Sequence, residues 1–386
     1  MTGPLSGVRI VELGGIGPVA FAGMILAELG ADVVRVDRPG HNAYEDAIDP
    51  RADIANRGKR SITIDLRQAR GREVLLSLAA RADALIEGFR PGVAERLGVG
   101  PGQCQGVNPR LVYGRMTGWG QSGPLAQTAG HDINYIALTG ALYGIGSPGA
   151  EPQIPLNIVG DMGGGGTYLV IGLLAALHEA PRSGIGQVID AAIVDGTAQL
   201  MTTVHSLLAT GTFADERGAN VHNGIAPYYA VYEASDGGFM AVGAGENRFY
   251  RNFLTVLGVD IDPSRQLERD QWAGWKAEIA RTFKTRTRAE WTLLFQNTDC
   301  CVTPVLSFRE AAEHPHMAFR DSVTTVNGIV QAGPAPRFSR TATEIGTAPP
   351  LPGQDSLEIL GSWGVEGADE LIASGVVRQA VTGSAQ

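Results

Sequence analysis

Short apolar runs rich in valine and isoleucine recur through the first third of the chain, and helical patterns fill the gaps between them. Residues 8–13 (VRIVEL) run into glycines and read as a strand, and residues 21–29 read as a helix that stops at Gly30. Residues 31–37 (ADVVRVD) read as a second strand and 61–66 (SITIDL) as a third, followed by a helix through 75–80. Residues 84–86 and 111–115 supply a fourth and a fifth strand. Strands alternating with helices call for a parallel sheet with helices on both faces, so the expected fold class is α/β.

At 386 residues the chain exceeds one compact domain and suggests two, on a prior of roughly 100–200 residues each. The pattern changes after about residue 185. Residues 188–192 read as another strand and 197–208 as a helix, and two strand-like runs within 228–242 flank Ser235-Asp236-Gly237-Gly238, a hairpin turn. Residues 272–295 are helical in pattern, which makes this part a smaller α+β domain. Residues 347–353 (TAPPLPG) read as an extended linker, and the last ten residues as a mobile tail. Hydrophobic residues at 44% and charged residues at 18% allow a sizeable core. The 52 glycines show no three-residue period, so they imply tight turns and not collagen.

A formal net charge of −9 does not suit a nucleic-acid partner, although a local basic cluster can still hold an anionic ligand. Cys104, Cys300 and Cys301 lack metal-ligand spacing, so no metal is expected and a reducing compartment is. The first seven residues lack a secretory pattern, and the most apolar run, 168–177, is shorter than the ~20 residues of a membrane span. It reads as a buried core helix. The expectation is a cytoplasmic protein that binds no membrane.

Gly15-Ile16-Gly17-Pro18-Val19-Ala20 matches G-x-G-x-x-A after a strand and before a helix, with Asp37 about 20 residues on. This imitates a dinucleotide fingerprint, and it reads better as a tight strand-to-helix turn of any α/β domain. Arg38 beside Asp37 suits a phosphate better than a bare ribose diol. Arg57, Lys59 and Arg60 form a basic cluster that reads either as a phosphate attractor or as a solvated turn.

Residues 116–124 (MTGWGQSGP) and 129–135 (AGHDINY) make a long, unusual string. It resembles the class III (CaiB/BaiF-type) CoA-transferase superfamily, and within it the α-methylacyl-CoA racemases. ADVVRVDRPG at 31–40, NRGKRSITIDL at 56–66, GQVIDAAIVDG at 186–196 and CVTPVLSF at 301–308 carry the likeness over nearly the whole chain. The resemblance implies a Rossmann-like large CoA-binding domain from residues 1–200, completed by about 325–386. Residues 201–324 would form a linker helix and a small α+β domain. It also implies an obligate, interlocked homodimer, with chemistry where the large domain meets the partner's small domain.

The implied reaction interconverts (R)- and (S)-2-methylacyl-CoA by 1,1-proton transfer through an enolate. That chemistry needs a base on one face of the α-carbon, an acid on the other, and a donor to the enolate oxygen. By resemblance His131 is the base and Asp161, in GDMGGGG, the acid, its carboxyl raised by burial. Read from the residues alone, His131 is a structural loop histidine and Asp161 an N-cap for a helix beginning near Gly165. The glycines beside Asp161 would let the thioester approach backbone N–H groups. Glu246 would hydrogen-bond His131 across the dimer interface, and Asp132 would help orient the His131 loop.

For the CoA moiety the resemblance points to Arg38, to Ile64, Asp65, Leu66 and Arg67, to Arg90 and Arg96, and to Gly130, Asp132, Ile133, Asn134 and Tyr135. No cofactor beyond the CoA of the substrate is implied. The chain departs from the family pattern at ENRFY (246–250) and NVHNGIAP (220–227). Met201, with Thr202, Thr203 and His205 beside it, is the main methionine where the family carries several along its acyl surface. The alternative is a class III CoA-transferase that moves CoA between carboxylic acids with Asp161 as nucleophile.

Overall fold

The structure, a computed structural model, describes residues 3–40 and 48–380. The chain divides into two compact units. The larger takes Met1–Thr139, Leu156–Leu200 and His316–Gln386, and the smaller takes Gly140–Pro155 and Met201–Pro315.

The larger unit is built on β1 (Arg9–Leu13), α1 (Pro18–Glu28), β2 (Asp32–Asp37), β3 (Arg60–Ile64), α2 (Ala69–Ala79), β4 (Ala84–Glu87) and β5 (Val112–Thr117). Next come α3 (Asp132–Leu138), α4 (Ile158–Ser183), β6 (Val188–Ala192) and α5 (Ile193–Leu200). Strands β1–β6 are parallel in the order β3-β2-β1-β4-β5-β6, and Val377–Arg378 adds a short antiparallel strand beyond β3. The order reverses between β1 and β4, so the connections leaving their carboxyl ends diverge and open a crevice.

Side-chain alternation along the strands sorts the core into two layers. Val11, Val34, Leu85 and Tyr113 pack with Leu75 and Leu78 of α2 and with Ile359, Leu360 and Trp363 near the C-terminus. Ile10, Val33, Ala84 and Val112 pack with Ala22 and Leu26 of α1 and with Leu169 and Leu173 of α4. A parallel sheet covered on both faces buries nearly every strand position, and the charged residues that stand there are paired, Glu12 with Lys59 and Arg115 with Glu87.

Helix α4 starts seven residues before Gly165, the start read from sequence, as a π-helical turn (Ile158–Gly166) that continues as an α-helix (Thr167–Ser183). It is long and apolar enough to cross a membrane, yet Leu169, Val170, Leu173, Ala176 and Ala180 pack into the core of this unit. The glycines of the turn serve close packing. A side-chain carbon at Gly166 would lie 2.8 Å from the Pro18 carbonyl oxygen and 2.8 Å from the Phe21 ring. One at Gly165 would lie 3.0 Å from Ile193, and one at Gly164 2.6 Å from the Thr197 nitrogen.

The basic cluster at 57–60 is neither a phosphate attractor nor a solvated turn. Lys59 is wholly buried, with Nζ 2.9 Å from Glu12 Oε1, 2.9 Å from the Ala20 carbonyl and 3.0 Å from Asn56 Oδ1. Arg57, also buried, donates to Glu28 at 2.8 Å and to Gln331 at 2.8 Å. Arg60 donates to Asp32 at 3.0 Å.

Residues 347–353 are docked and not a linker. Gly58 donates to the Thr347 carbonyl at 2.8 Å, and Gly353 donates to Ser61 Oγ at 2.8 Å. Within the expected mobile tail Val377–Arg378 pairs with β3, while 381–386 lie outside the described residues.

The smaller unit carries an antiparallel sheet, Tyr229–Glu233, Phe239–Gly243 and Val302–Val305. One face packs on an aromatic core that includes Tyr232, Phe253, Phe283, Trp291 and Phe295. The helix expected at 272–295 is two, Trp272–Phe283 and Arg288–Phe295, and that expected at 197–208 is divided at Met201. Residues 140–155 belong with this unit, because Arg217 donates to the carbonyls of Tyr143, Ser147 and Ala150 and Asn223 to that of Gly144. The larger unit resumes at His316 and not at about 325.

Removing one partner of a buried pair strands the other charge. Lys59→Met is expected to cost about 3–5 kcal/mol in urea unfolding, and adding Glu12→Gln should recover more than half of that. Additive losses would mean that the two side chains are not coupled.

Candidate active site

The crevice at the carboxyl ends of β1 to β5 is a cleft of about 1530 Å³. That exceeds the ~300–1,000 Å³ of common small-molecule pockets and suits a long ligand. Its floor is the turn from β1 to α1, and Leu351, Pro352, Arg378, Gln379 and Ala380 contribute to its lining.

The turn is tight because Gly17, at φ +66°, caps α1 ahead of Pro18. A side-chain carbon at Gly17 would sit 3.5 Å from Asp161 Oδ2, so the Asp161 carboxylate lies over this turn. Asp161 stands inside the π-helical turn of α4 and not at its N-cap. Burial raises its carboxyl above the ordinary value, the charge of Asp132 adds to this, and a hydrogen bond from Asn157 and the charge of His131 oppose it.

His131 caps α3 and is exposed, and its backbone N–H donates to Asn134 Oδ1 at 3.0 Å. Four residues on, Tyr135 is buried, its hydroxyl donating to the Gly130 carbonyl and its ring set edge-on to Trp119 at 4.8 Å. Positions four apart share a helix face. Gly130, His131 and Tyr135 therefore line the cleft, and the intervening residues do not. Asp132 points inward, where its Oδ1 accepts the Asp161 backbone N–H at 2.7 Å, while Ile133 and Asn134 are exposed outside the lining. Of the six residues 130–135 expected to wrap the ligand, three line the cleft of this unit.

Arg38, Ile64, Asp65, Leu66, Arg67 and Arg90 all line the cleft. Arg67 holds Asp65 at 2.9 Å, and that hydrogen bond pulls the Asp65 carboxyl down to about 2. Arg90 makes no ion pair among the described residues. Its loop is braced from below, since Phe89 N–H donates to Glu87 at 2.5 Å and Arg115 donates to Glu87 at 3.0 Å. Arg96 is not in the lining. It ends the short helix Val93–Arg96, with its guanidinium close to Gly92.

Glu246 belongs to the smaller unit, exposed at the N-cap of the helix Asn247–Leu257, where Arg248 lies over the Phe249 ring at 4.3 Å. The larger unit thus brings together His131, Asp161 and most of the expected ligand contacts, and Glu246 is not among them. Sequence reasoning missed Trp119 and Arg378–Ala380 as lining residues. Trp119 stood within the 116–124 string, whereas nothing local marks the tail.

A carboxyl raised by folding leaves stability intact below its unfolded value and removes it as pH rises through the folded one. Asp161→Asn is therefore expected to raise the melting temperature by a few degrees at about pH 8 and to change nothing near pH 3. Thermal scans at both pH values check this.

The sequence profile of CoA-transferase family III matches residues 5–356. An α-methylacyl-CoA racemase of Mus musculus is 44% identical over 364 residues, covering 93% of this chain and 93% of the relative. One of Homo sapiens is 43% identical over 365 residues, with 93% of each covered. The crystal structure of a CAIB/BAIF family protein from Brucella suis superposes with a TM-score of 0.80 at 28% identity, covering 94% of this chain and 100% of that one. With a parallel sheet, a switch-point cleft and a profile match over most of its length, the chain belongs to CoA-transferase family III.

Proposed function

We propose that this protein is a racemase of 2-methylacyl-CoA thioesters. One observation carries the reading. His131 and Asp161 line the same cleft at the switch point of the sheet, in a chain similar over 93% of its length to proteins named α-methylacyl-CoA racemase. In the proposed reaction the His131 imidazole takes the α-proton from one face, and the C–H electron pair moves into the thioester enolate. The Asp161 carboxyl returns a proton to the opposite face and is left as carboxylate. The other enantiomer reacts by the reverse transfers. A raised Asp161 carboxyl favours the protonated form that this step consumes. Arg38, Arg67 and Arg90 supply cations for the phosphates of the CoA moiety, and no further cofactor enters.

We read the larger unit as the Rossmann-like CoA-binding domain of a homodimer. Tyr229, Val231, Phe239 and Val305 form an exposed apolar face on the smaller unit's sheet, which supports burial against a second chain. Glu246 of that second chain would accept a hydrogen bond from His131 and raise its basicity. Three cysteines without disulfides suit a cytoplasmic setting.

Proton NMR of (R)- and (S)-2-methylacyl-CoA with the protein in heavy water tests the function. Loss of the α-proton signal with formation of both enantiomers is the expected result. His131→Ala and Asp161→Ala should each lower racemisation about 10²–10⁴-fold, each abolishing exchange from a different enantiomer. Full racemisation in both variants overturns the residue roles. Turnover that requires a free carboxylic acid acceptor assigns CoA transfer instead.

A further inference from the structure

Asp132 stands in the string that the resemblance connects with the bound thioester, yet its side chain turns away from the cleft. It is only 7% exposed. Its Oδ1 accepts the Asp161 backbone N–H at 2.7 Å, and its Oδ2 is enclosed with no hydrogen-bond partner among the described residues. Gly160 leaves the room for this carboxylate, since any side chain there would run into Asp132 Oδ1 and, at 2.9 Å, into Ile136.

A buried carboxylate with an unpartnered oxygen is costly, and such a group in a folded protein calls for an explanation. We infer that Asp132 is a positioning residue for Asp161, pinning the first turn of α4 through the Asp161 N–H and setting a second carboxyl group beside the acid of the reaction. The inference rests on the proton transfer proposed for Asp161.

Asp132 stands after burial among the causes that raise the Asp161 carboxyl. The other ionisable group acting on Asp161 is His131, and Tyr135 of α3 feels the Asp161 charge in turn. The remaining elements packed on this turn carry Glu28 (α1), Asp195 (α5), Arg115 (β5) and Asp190 (β6), none of which contributes to the shift. Arg115 is paired with Glu87 and Glu95, and Asp190 accepts the Gln121 N–H.

Asp132→Asn keeps an oxygen for the Asp161 N–H and removes the charge. The titration of Asp161 is read by carbon-13 carboxyl NMR of aspartate-labelled full-length protein, its signal identified by loss in Asp161→Asn. The expected result is a fall in its midpoint in Asp132→Asn. Asp132→Ala, which loses anchor and charge together, should show the same fall, so a poorly folding Asp132→Asn leaves the inference testable. An unchanged midpoint overturns it. In α-proton exchange assays with the enantiomer that Asp161 deprotonates, Asp132→Asn should move the acidic limb of the pH profile to lower pH and reduce kcat about tenfold with KM unchanged. A raised KM with kcat intact would instead make Asp132 a ligand contact and overturn the inference. Wild-type protein that shows no exchange at all removes the racemase reading, and the carboxyl titration still decides the role of Asp132.

Discussion

Backbone contact between the first turn of α4 and the start of α1 governs the geometry of the larger unit's cleft. Gly164, Gly165 and Gly166 let the π-helical turn touch Pro18, Phe21, Ile193 and Thr197 without intervening side chains. Any methyl group there would push α4 outward and carry Asp161 away from the β1–α1 turn. That turn needs Gly17 at a positive φ, so both halves of the arrangement depend on residues without a Cβ. The same approach settles which α3 residues can face the cleft, because Asp132 is tied to the backbone of α4.

Charge is handled in two ways within this unit. Glu12 with Lys59 and Glu28 with Arg57 are ion-paired out of water. Among the described residues no cationic side chain is bonded to Asp161, which stands beside another carboxyl group, an arrangement that costs stability and leaves an acid with a raised carboxyl in a cleft. The contrast separates ionisable groups that hold the fold together from one that the fold holds in an uncomfortable state.

Much of this was legible in the sequence for definite reasons. Short runs rich in valine and isoleucine alternate with helical patterns, so β1 to β5 and the parallel sheet could be read directly although single polar residues such as Arg35 and Ser61 interrupt them. The restart at Arg288 was also written locally, since Thr287 and Glu290 form a reciprocal cap, but the helical pattern on either side hid it. The basic cluster was unreadable because its partners Glu12, Glu28 and Asp32 lie far away along the chain. The 130–135 string marked the right segment without showing its phase. Whether a residue faces ligand, core or solvent changes with every step around a helix, so His131 and Tyr135 entered the cleft while Ile133 and Asn134 did not. The residues at 378–380 carry no motif and reach the cleft only because the tail folds back over β3.

That fold-back has a consequence for biosynthesis. Val377 and Arg378 pair with Ile64 and Thr63, Asp355 accepts the Ser61 N–H at 2.8 Å, and Leu351 and Pro352 line the cleft. A nascent chain that has only reached the smaller unit therefore exposes the outer edge of β3 as unpaired amide groups. That edge is a template for strand addition by neighbouring chains until residues 351–380 emerge from the ribosome. The vulnerable interval lasts through synthesis of the whole smaller unit, and a message truncated within it would yield an aggregation-prone product rather than a weakened enzyme.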